Sequence, residues 1–276
     1  MMKNIILGLF LISLISACNS INKSNASKDQ TEKLSQSDEL KKRILSRTIF
    51  DKEGKEVSRT TISYDGSNYT SITYEGDLAV TKTECDSTNS KKTINAYNLV
   101  NGTWALINKT IVEYKEDTIL KNTLLDPDGK ILRITTYTYD GEHWKMTSYL
   151  DGKPVNETVR NYYEQNQEET ISLSQNFSDS WTLTSIIINK YDKKRKHILN
   201  TTQLHNQHPQ YNTSIDYTYD GENYTSIAYD NDKHPMLKTE CTKTDLTETL
   251  TNYYQKDGSW IMGGKTVTTY EWVRKE

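Results

Sequence analysis

The triplet Tyr-Asp-Gly occurs three times in this chain, and the residues around it repeat with it. Its copies begin at Tyr64, Tyr139 and Tyr219, at intervals of 75 and 80 residues. A tryptophan follows each copy 40 to 42 residues later. Self-similarity at a fixed period of this kind is the signature of a repeat architecture. The chain is therefore predicted to contain three tandem units, with bounds at residues 41–116, 117–195 and 196–276.

Turn-forming clusters divide each unit further. Pairs such as Asp65-Gly66 and Asn101-Gly102 recur about every 10–14 residues, which is the spacing of a strand plus a turn in an antiparallel meander. Asp-Gly and Asn-Gly suit tight hairpins because these residues tolerate a positive φ. Between the turns apolar residues alternate, so that Ile62 and Tyr64 share one face of a strand. The sequence predicts an all-β fold, an antiparallel β-meander of about 16–18 short strands that forms a large curved sheet, a wrap or a partly closed barrel.

The composition agrees with a sheet that has little deep core. Hydrophobic residues make up 34% of the chain, and there are 19 Tyr but only 3 Phe. Tyr suits a pleated surface with one wet face, whereas Phe suits a dry core. Small cross-strand contributions, repeated along the meander, are therefore expected to stabilise the sheet.

The aromatic residues at the hairpins are the candidate binding face. If the loop after Tyr64 has two or four residues, Tyr69 returns to the face of Tyr64. Aromatic ladders on sheets can stack sugars or receive peptides; the alternative is that the same residues close the sheet against itself. The residues of this face are Tyr64, Tyr69, Tyr139, Trp144, Tyr219 and Tyr224.

The N-terminus carries an export signal. Lys3 precedes an apolar run, residues 5–15, that is too short to span a bilayer as a stable helix. The run ends in Ile15-Ser16-Ala17-Cys18, which resembles the lipobox of bacterial lipoproteins. That resemblance implies cleavage before Cys18 and acylation of Cys18, which becomes the membrane anchor. The implied domains are a signal peptide (1–17), the lipidated Cys and a flexible tether (18–40), and a single β-repeat domain (41–276).

The lipobox resemblance also implies a cell-envelope location. Asn19 follows the cysteine, in place of the Asp that retains lipoproteins at the inner membrane of enteric bacteria. The expected location is the outer membrane if the organism has one, and otherwise the outer face of the plasma membrane. The Tyr-Asp-Gly hairpins themselves resemble the YD repeats of RHS-type shell proteins and the hairpin repeats of MORN-like proteins. This second resemblance covers the hairpin centres only, and it implies repeated hairpins without an activity.

No catalytic residue, metal site or cofactor is predicted. His205 and His208 are spaced like a metal pair but fall in a predicted hairpin turn. The Asp126–Gly129 turn lacks the bidentate Glu of a calcium loop, and Gly264-Lys265-Thr266 lacks the first Gly of a phosphate loop. The net charge of −3 supplies no basic footprint for nucleic acid.

Two cysteines occupy equivalent places in Lys-Thr-Glu-Cys contexts, at Cys85 and Cys241. Equivalent positions two units apart in a linear meander are farther apart than the ~7 Å Cα limit of a disulfide. They are predicted to be two half-buried thiols, and a disulfide between them would imply a ring-like arrangement.

The functional prediction is a non-enzymatic, membrane-anchored envelope lipoprotein. Repeat arrays without a convergent catalytic cluster usually form surfaces, so the array is expected to bind or scaffold an envelope protein or a glycan. The alternative is a carbohydrate-binding or carbohydrate-active protein. Hydrolysis would require two carboxylates about 5–10 Å apart. A third possibility is a passive spacer.

Overall fold

The fold is described from a computed structural model that covers residues 40–116, 118–178, 180–194 and 196–274. The predicted signal peptide, Cys18 and the tether up to residue 39 lie outside these residues. Leu40, which the sequence assigned to the tether, already belongs to the first strand. Among the described residues no helix has the length and hydropathy needed to cross a membrane.

Eighteen strands follow one another in the described part of the chain, six in each repeat. The first unit contains β1 (Leu40–Asp51), β2 (Glu56–Asp65), β3 (Asn68–Glu75), β4 (Leu78–Ser87), β5 (Lys91–Val100) and β6 (Thr103–Lys115). The second contains β7 (Thr118–Leu125), β8 (Ile131–Asp140), β9 (His143–Leu150), β10 (Lys153–Tyr163), β11 (Glu168–Phe177) and β12 (Ser180–Tyr191). The third contains β13 (Ile198–His205), β14 (Thr213–Asp220), β15 (Asn223–Tyr229), β16 (Pro235–Lys243), β17 (Thr247–Lys256) and β18 (Ser259–Arg274). Two short 3-10 turns, Glu164–Asn166 and Pro209–Tyr211, complete the described secondary structure.

The sheet closes on itself. Each strand pairs antiparallel with the next, and β1 also pairs with β18, from Leu40 opposite Arg274 to Asp51 opposite Gly264. The predicted antiparallel meander is therefore confirmed, and it forms a closed barrel. Closure leaves no edge among the described strands, which removes the unpaired donors and acceptors that an open sheet exposes.

Two kinds of two-residue hairpin recur among the strand connections. In the Tyr-Asp-Gly hairpins the Asp is the last strand residue, not a turn residue: Asp65 pairs with Asn68, and Gly66 takes the first loop position with φ 58°. A glycine there is the mark of a type II′ turn. The Asn101-Gly102 hairpin has positive φ at both positions, 49° and 76°, as a type I′ turn requires. Both turn types follow the twist of the flanking strands.

The tyrosine of each Tyr-Asp-Gly triplet anchors a β-bulge. The Tyr64 hydroxyl donates to the carbonyl oxygen of Ile44 at 3.0 Å, beside the register shift that leaves Leu45 unpaired with β18. The Tyr139 hydroxyl donates to Ile119 at 2.9 Å beside a bulge in β7. Tyr219 hydrogen-bonds the backbone of Ile198 beside a bulge in β13.

The residue that opens the strand after each triplet also has a repeated role. The Asn68 side-chain oxygen accepts a hydrogen bond from the backbone N–H of Ser87, and Asn223 accepts one from Lys243, both at 2.7 Å. In the second unit His143 replaces Asn and accepts from the N–H of Tyr162 through Nδ1 at 3.3 Å. These bonds tie the hairpin to the end of the strand that follows it.

One face of the sheet holds most of the buried side chains. Pairing registers followed around the ring place all buried described residues except Thr123 and Ser214 on the same face. We call it the buried face and the opposite one the open face. Side chains converge inside a closed sheet and diverge outside it, so the buried face lines the interior. Its buried members are mostly small or polar, which agrees with the little deep core expected from composition.

The seam between the first and last strands depends on a glycine. A Cβ added to Gly264 would lie 2.6 Å from the carbonyl oxygen of Phe50, and the φ of Gly264 is 152°. The Gly263-Gly264-Lys265-Thr266 segment thus belongs to β18 and permits the close approach of β1.

Candidate functional site

The predicted aromatic residues pair across their hairpins as expected. Tyr64 lies opposite Tyr69, with ring centroids 6.1 Å apart, and Tyr219 lies opposite Tyr224 at 5.8 Å. Tyr139 lies opposite Trp144 in the second unit. All six share the buried face with the two cysteines. Burial raises the pKa of Tyr139, Tyr219 and Tyr224 above the ordinary value of a tyrosine. Their role in binding stays a prediction.

Cys85 and Cys241 lie directly opposite Tyr69 and Tyr224. They are thiols, as predicted, but they are buried rather than half-buried, with 2% and 3% of their surface exposed. The sheet closes into a ring, but no disulfide joins the two cysteines. The strands that carry them, β4 and β16, lie six strands apart around the closed sheet. Burial raises the pKa of the Cys241 thiol, which suppresses its reactivity.

In the second unit a charged network replaces the cysteine. Arg160 occupies the equivalent place and forms an ion pair with Glu169, which is only 4% exposed. Asn189 and Tyr191 also donate to this carboxylate, at 2.7 and 2.9 Å. Burial by itself would raise the pKa of Glu169, but the Asn189 hydrogen bond and the Arg160 charge hold it below its ordinary value. This satisfied network is a structural feature of the buried face.

A repeated cluster of four side chains lies on the open face of the first unit. The Lys82 ammonium lies 4.4 Å from the ring centroid of Tyr97 and 5.5 Å from that of Trp104. Lys82 donates to Glu84 at 2.7 Å, and the Tyr97 hydroxyl donates to the other oxygen of Glu84 at 2.9 Å. The Lys82 hydrogen bond lowers the pKa of Glu84, while burial and the Glu84 charge raise that of Tyr97.

The third unit repeats this cluster almost distance for distance. Lys238 lies 4.3 Å from the ring centroid of Tyr253 and 5.8 Å from that of Trp260. Lys238 and Tyr253 both donate to Glu240 at 2.8 Å. We call each set a Lys–Glu–Tyr–Trp cluster. The open face therefore presents the same charged and aromatic group twice, in the first and third units.

The second unit has a pocket where the other two have this cluster. Its volume is about 330 Å³, within the ~300–1,000 Å³ range of ligand sites. We call it the Trp181 pocket. Its lining residues are Thr136, Thr138, Lys145, Thr147, Tyr149, Pro154, Glu157 and Trp181.

A second pocket adjoins the first at Tyr149. It has a volume of about 490 Å³ and lies at the turns that join β7 to β8 and β9 to β10. Gly129, Lys130, Ile131 and Ile134 line one side, and Asp151 and Gly152 line the other. Because Tyr149 borders both cavities, they form one groove on the open face.

The other polar motifs serve turns. The Asp126 carboxylate accepts from the backbone N–H groups of Asp128 and Lys130 at 3.0 and 2.8 Å, which is an Asx-type turn. His205 ends β13, and His208 precedes the 3-10 turn at Pro209–Tyr211. Within the described ranges no group of three or more His, Cys, Asp or Glu side chains is placed to hold a metal ion.

Sequence reasoning missed the Lys–Glu–Tyr–Trp clusters and the pocket. In the repeated Lys-Thr-Glu-Cys segments the cysteine lies on the buried face, whereas the Lys and Glu lie on the opposite face and build the clusters. The signal that could have revealed the pocket was the departure of the second unit from the other two. The second unit has Arg160 in place of Cys85 and, three residues earlier, Glu157 in place of Lys82.

The fold defines the protein as a closed all-β meander of three six-stranded repeats. No family model and no curated protein matches the chain. A porin-like protein from Bacteroides uniformis aligns with a TM-score of 0.44 and 12% identity, over 84% of this chain and 96% of that one. The TcdB2-TccC3-Cdc42 structure aligns with a TM-score of 0.29 and 11% identity, over 81% of this chain and 18% of that one. Transferrin Binding Protein B from Haemophilus parasuis aligns with a TM-score of 0.23 and 8% identity, over 86% of this chain and 76% of that one. These values carry no functional argument.

Proposed function

We propose that this protein is a non-enzymatic envelope lipoprotein that is anchored through Cys18 and presents its closed β-repeat sheet as a binding or scaffolding surface. One observation carries the proposal: the open face repeats the same partly exposed charged and aromatic cluster in the first and third units. Side chains held in the same geometry at two places on one wall suit an extended partner better than a single reaction centre.

The charged groups of the protein support a binding role over a catalytic one. The buried carboxylate of Glu169 is committed to Arg160, Asn189 and Tyr191. Among the residues that line the Trp181 pocket, Glu157 is the one carboxylate, and it is paired with Lys145. Hydrolysis of a glycosidic bond ordinarily requires two carboxylates.

Anchoring is tested in a bacterial host that expresses the full chain or its Cys18→Ala variant. Incorporation of radiolabelled palmitate and recovery in the membrane fraction are expected for the unaltered chain and are lost in Cys18→Ala. An unlabelled full chain would contradict anchoring. Binding is tested separately by retention of envelope components on the immobilised Cys18→Ala protein, with an unrelated β-rich protein as the control. Turnover of an envelope glycan with no retained component would contradict the non-enzymatic reading.

A carbohydrate-binding role is the second candidate. The observation that favours it is the groove of the second unit, where aromatic rings border threonine hydroxyls and an ion pair. A glycan array separates this candidate from a purely protein-binding surface.

A further inference from the structure

The Trp181 pocket exists because the second unit departs from the repeat at three open-face positions that adjoin one another through strand pairing. The second unit differs from the other two at the cluster lysine. It also differs at the two residues that pair with this lysine, one on the preceding strand and one on the following strand. These residues are Ile72, Lys82 and Tyr97 in the first unit, Thr147, Glu157 and Ser174 in the second, and Ile227, Lys238 and Tyr253 in the third.

Each of the three changes removes side-chain volume or reverses its chemistry. Ile becomes Thr, Lys becomes Glu and Tyr becomes Ser, so the aliphatic chain, the cation and the phenol that fill the first unit are absent from the second. The tryptophan is kept: Trp181 pairs with Asn176 as Trp104 pairs with Leu99. Trp181 therefore lies next to a space that the cluster lysine fills in the other two units. As a result, 42% of the surface of Trp181 is exposed.

The charge balance of the pocket points to a neutral ligand. Glu157 could accept an external cation beside Trp181, as Glu84 accepts Lys82. Lys145 of β9 already forms that ion pair, and the corresponding residue of the first unit is Thr70. The pocket therefore supplies its own counterion. What remains available is the donor capacity of Lys145, the acceptor capacity of Glu157 and three threonine hydroxyls, which both donate and accept.

The geometry also argues against an extended peptide. Peptides commonly bind sheets by adding a strand to an exposed edge, and the described strands form a ring with no such edge. The polar groups of the groove are side chains on the face of the sheet, and they are bordered by the rings of Trp181 and Tyr149. Alternating apolar faces and hydroxyl rims are the chemistry of a sugar ring.

We propose that this groove binds a short, neutral oligosaccharide. One sugar ring stacks on Trp181 in the Trp181 pocket, with its hydroxyls bonded to the Lys145–Glu157 pair and the threonines. The chain continues past Tyr149 into the adjoining cavity of about 490 Å³. The proposal deepens the proposed binding role of the open face and rests on it. The first and third units, whose equivalent sites are filled by their own lysine and tyrosine, do not bind this oligosaccharide.

The test uses the purified, detergent-solubilised full chain on an array of neutral and anionic glycans. The neutral oligosaccharide that is retained best then serves as the probe in titration calorimetry, and putrescine serves as a cationic comparison. Saturable binding of one oligosaccharide per chain is expected, with no binding of putrescine. Trp181→Ala is expected to weaken binding at least tenfold, whereas Tyr163→Ala, which truncates an exposed aromatic side chain outside the groove, leaves it unchanged.

A second variant fills the pocket instead of truncating it. Lys145→Thr, Thr147→Ile, Glu157→Lys, Val159→Glu and Ser174→Tyr together restore the residues of the first and third units, including the Glu that pairs with the cluster lysine, so the variant keeps side chains that the fold already accommodates. Loss of binding with an unchanged unfolding midpoint is expected. The proposal is overturned if the wild-type chain retains no neutral glycan, if putrescine binds in its place, or if affinity survives both Trp181→Ala and the filled variant. Palmitate labelling and the retention of other envelope components do not depend on these results, so failure here is distinguishable from failure of the proposed function.

Discussion

The hydroxyl of Tyr64 donates a hydrogen bond to the main-chain carbonyl of Ile44 at 3.0 Å. The bond crosses from the second strand to the first and ends beside the bulge at Leu45, where the ladder to β18 shifts register. Tyr139 makes the same connection to Ile119 in the second unit, and Tyr219 hydrogen-bonds the backbone of Ile198 in the third. The most recognisable motif of the sequence therefore places its tyrosine beside a bulge in the first strand of each unit.

Replacing Tyr64 by Phe removes this bond and leaves the ring in place. We expect a loss of about 0.5–1.5 kcal/mol in the free energy of unfolding, the net contribution of a typical hydrogen bond. Urea unfolding followed by circular dichroism measures it, and Tyr163→Phe at an exposed site is the control. Equal stability of Tyr64→Phe and the wild type would show that the bulge carbonyl is satisfied in another way.

Removing the charge at Arg160 leaves the Glu169 carboxylate buried with only neutral donors. Arg160→Met is expected to cost at least about 3 kcal/mol, because breaking a buried ion pair leaves an uncompensated charge. Urea midpoints at neutral pH measure the cost, and Arg59→Met on the open face is the control. A loss similar to that of the control would contradict the structural role given to the pair.

The pH dependence of stability follows from the lowered pKa of Glu169. In the unfolded chain a Glu titrates near ~4.3, above its folded value. Its contribution to stability is therefore fully present above about 4.3 and is lost as the pH falls through the folded pKa. The wild type should lose stability on acidification more steeply than Glu169→Gln, as measured by melting temperatures between neutral pH and about pH 3. Parallel profiles for the two proteins would show that the carboxylate is not held in this way.

A side chain at Gly264 should weaken the seam that closes the sheet. Gly264→Ala places a methyl group against the carbonyl of Phe50, 2.6 Å away, and overpacking of this kind costs about 1–3 kcal/mol. Faster hydrogen exchange in β1 and β18 than in β5 and β6 is the expected signature. Asn108→Ala is the matched control because Asn108 holds the equivalent position in the first unit. Uniform exchange in Gly264→Ala would contradict a role specific to the seam.

The two Lys–Glu–Tyr–Trp clusters should behave as independent copies. Lys82→Met and Lys238→Met are each expected to cost about 1 kcal/mol or less, because cation–π contacts and ion pairs near the surface contribute little. The double variant should lose the sum of the two, since the sites share no side chain. Urea midpoints of the three variants measure this. A departure from additivity of more than ~0.5 kcal/mol would reveal coupling between the units.

The two buried thiols should be protected from reagents in the folded protein. In a Cys18→Ala background, Cys85 and Cys241 are expected to react slowly with a thiol reagent under native conditions and quickly in guanidinium, with two labels added per chain. Mass spectrometry with and without prior reduction counts the labels. Labelling that appears only after reduction would mean that a disulfide joins them.

Much of the fold was predictable because its determinants are local. The glycine at position 66 and the alternation of Ile62 and Tyr64 depend on backbone φ and on the two-residue period of a strand, which neighbouring residues reveal. The pairing of Tyr64 with Tyr69 followed from the length of one loop. The burial of Cys85 was underestimated because its neighbours come from β3 and β5 and from the curvature of the whole sheet.

The candidate site was predictable only in part. The six aromatic residues were located correctly as pairs, but no local pattern shows which face of a closed sheet is buried. The partnership of Lys82 with Trp104 spans three strands, and Lys145 meets Glu157 only because β9 and β10 pair in a particular register. A one-residue shift in that register would move every side chain of the strand to the other face.

The sequence by itself determined three repeats, an all-β meander and the hairpins that punctuate it, because turn chemistry and side-chain alternation act between residues close in the chain. The tertiary structure decided that β1 meets β18, that the Tyr-Asp-Gly aromatics face inward, and that the second unit keeps a pocket where the other two keep a lysine. These outcomes depend on strand register, on bulges and on the close approach allowed by Gly264. They become visible only when residues from several strands are placed side by side.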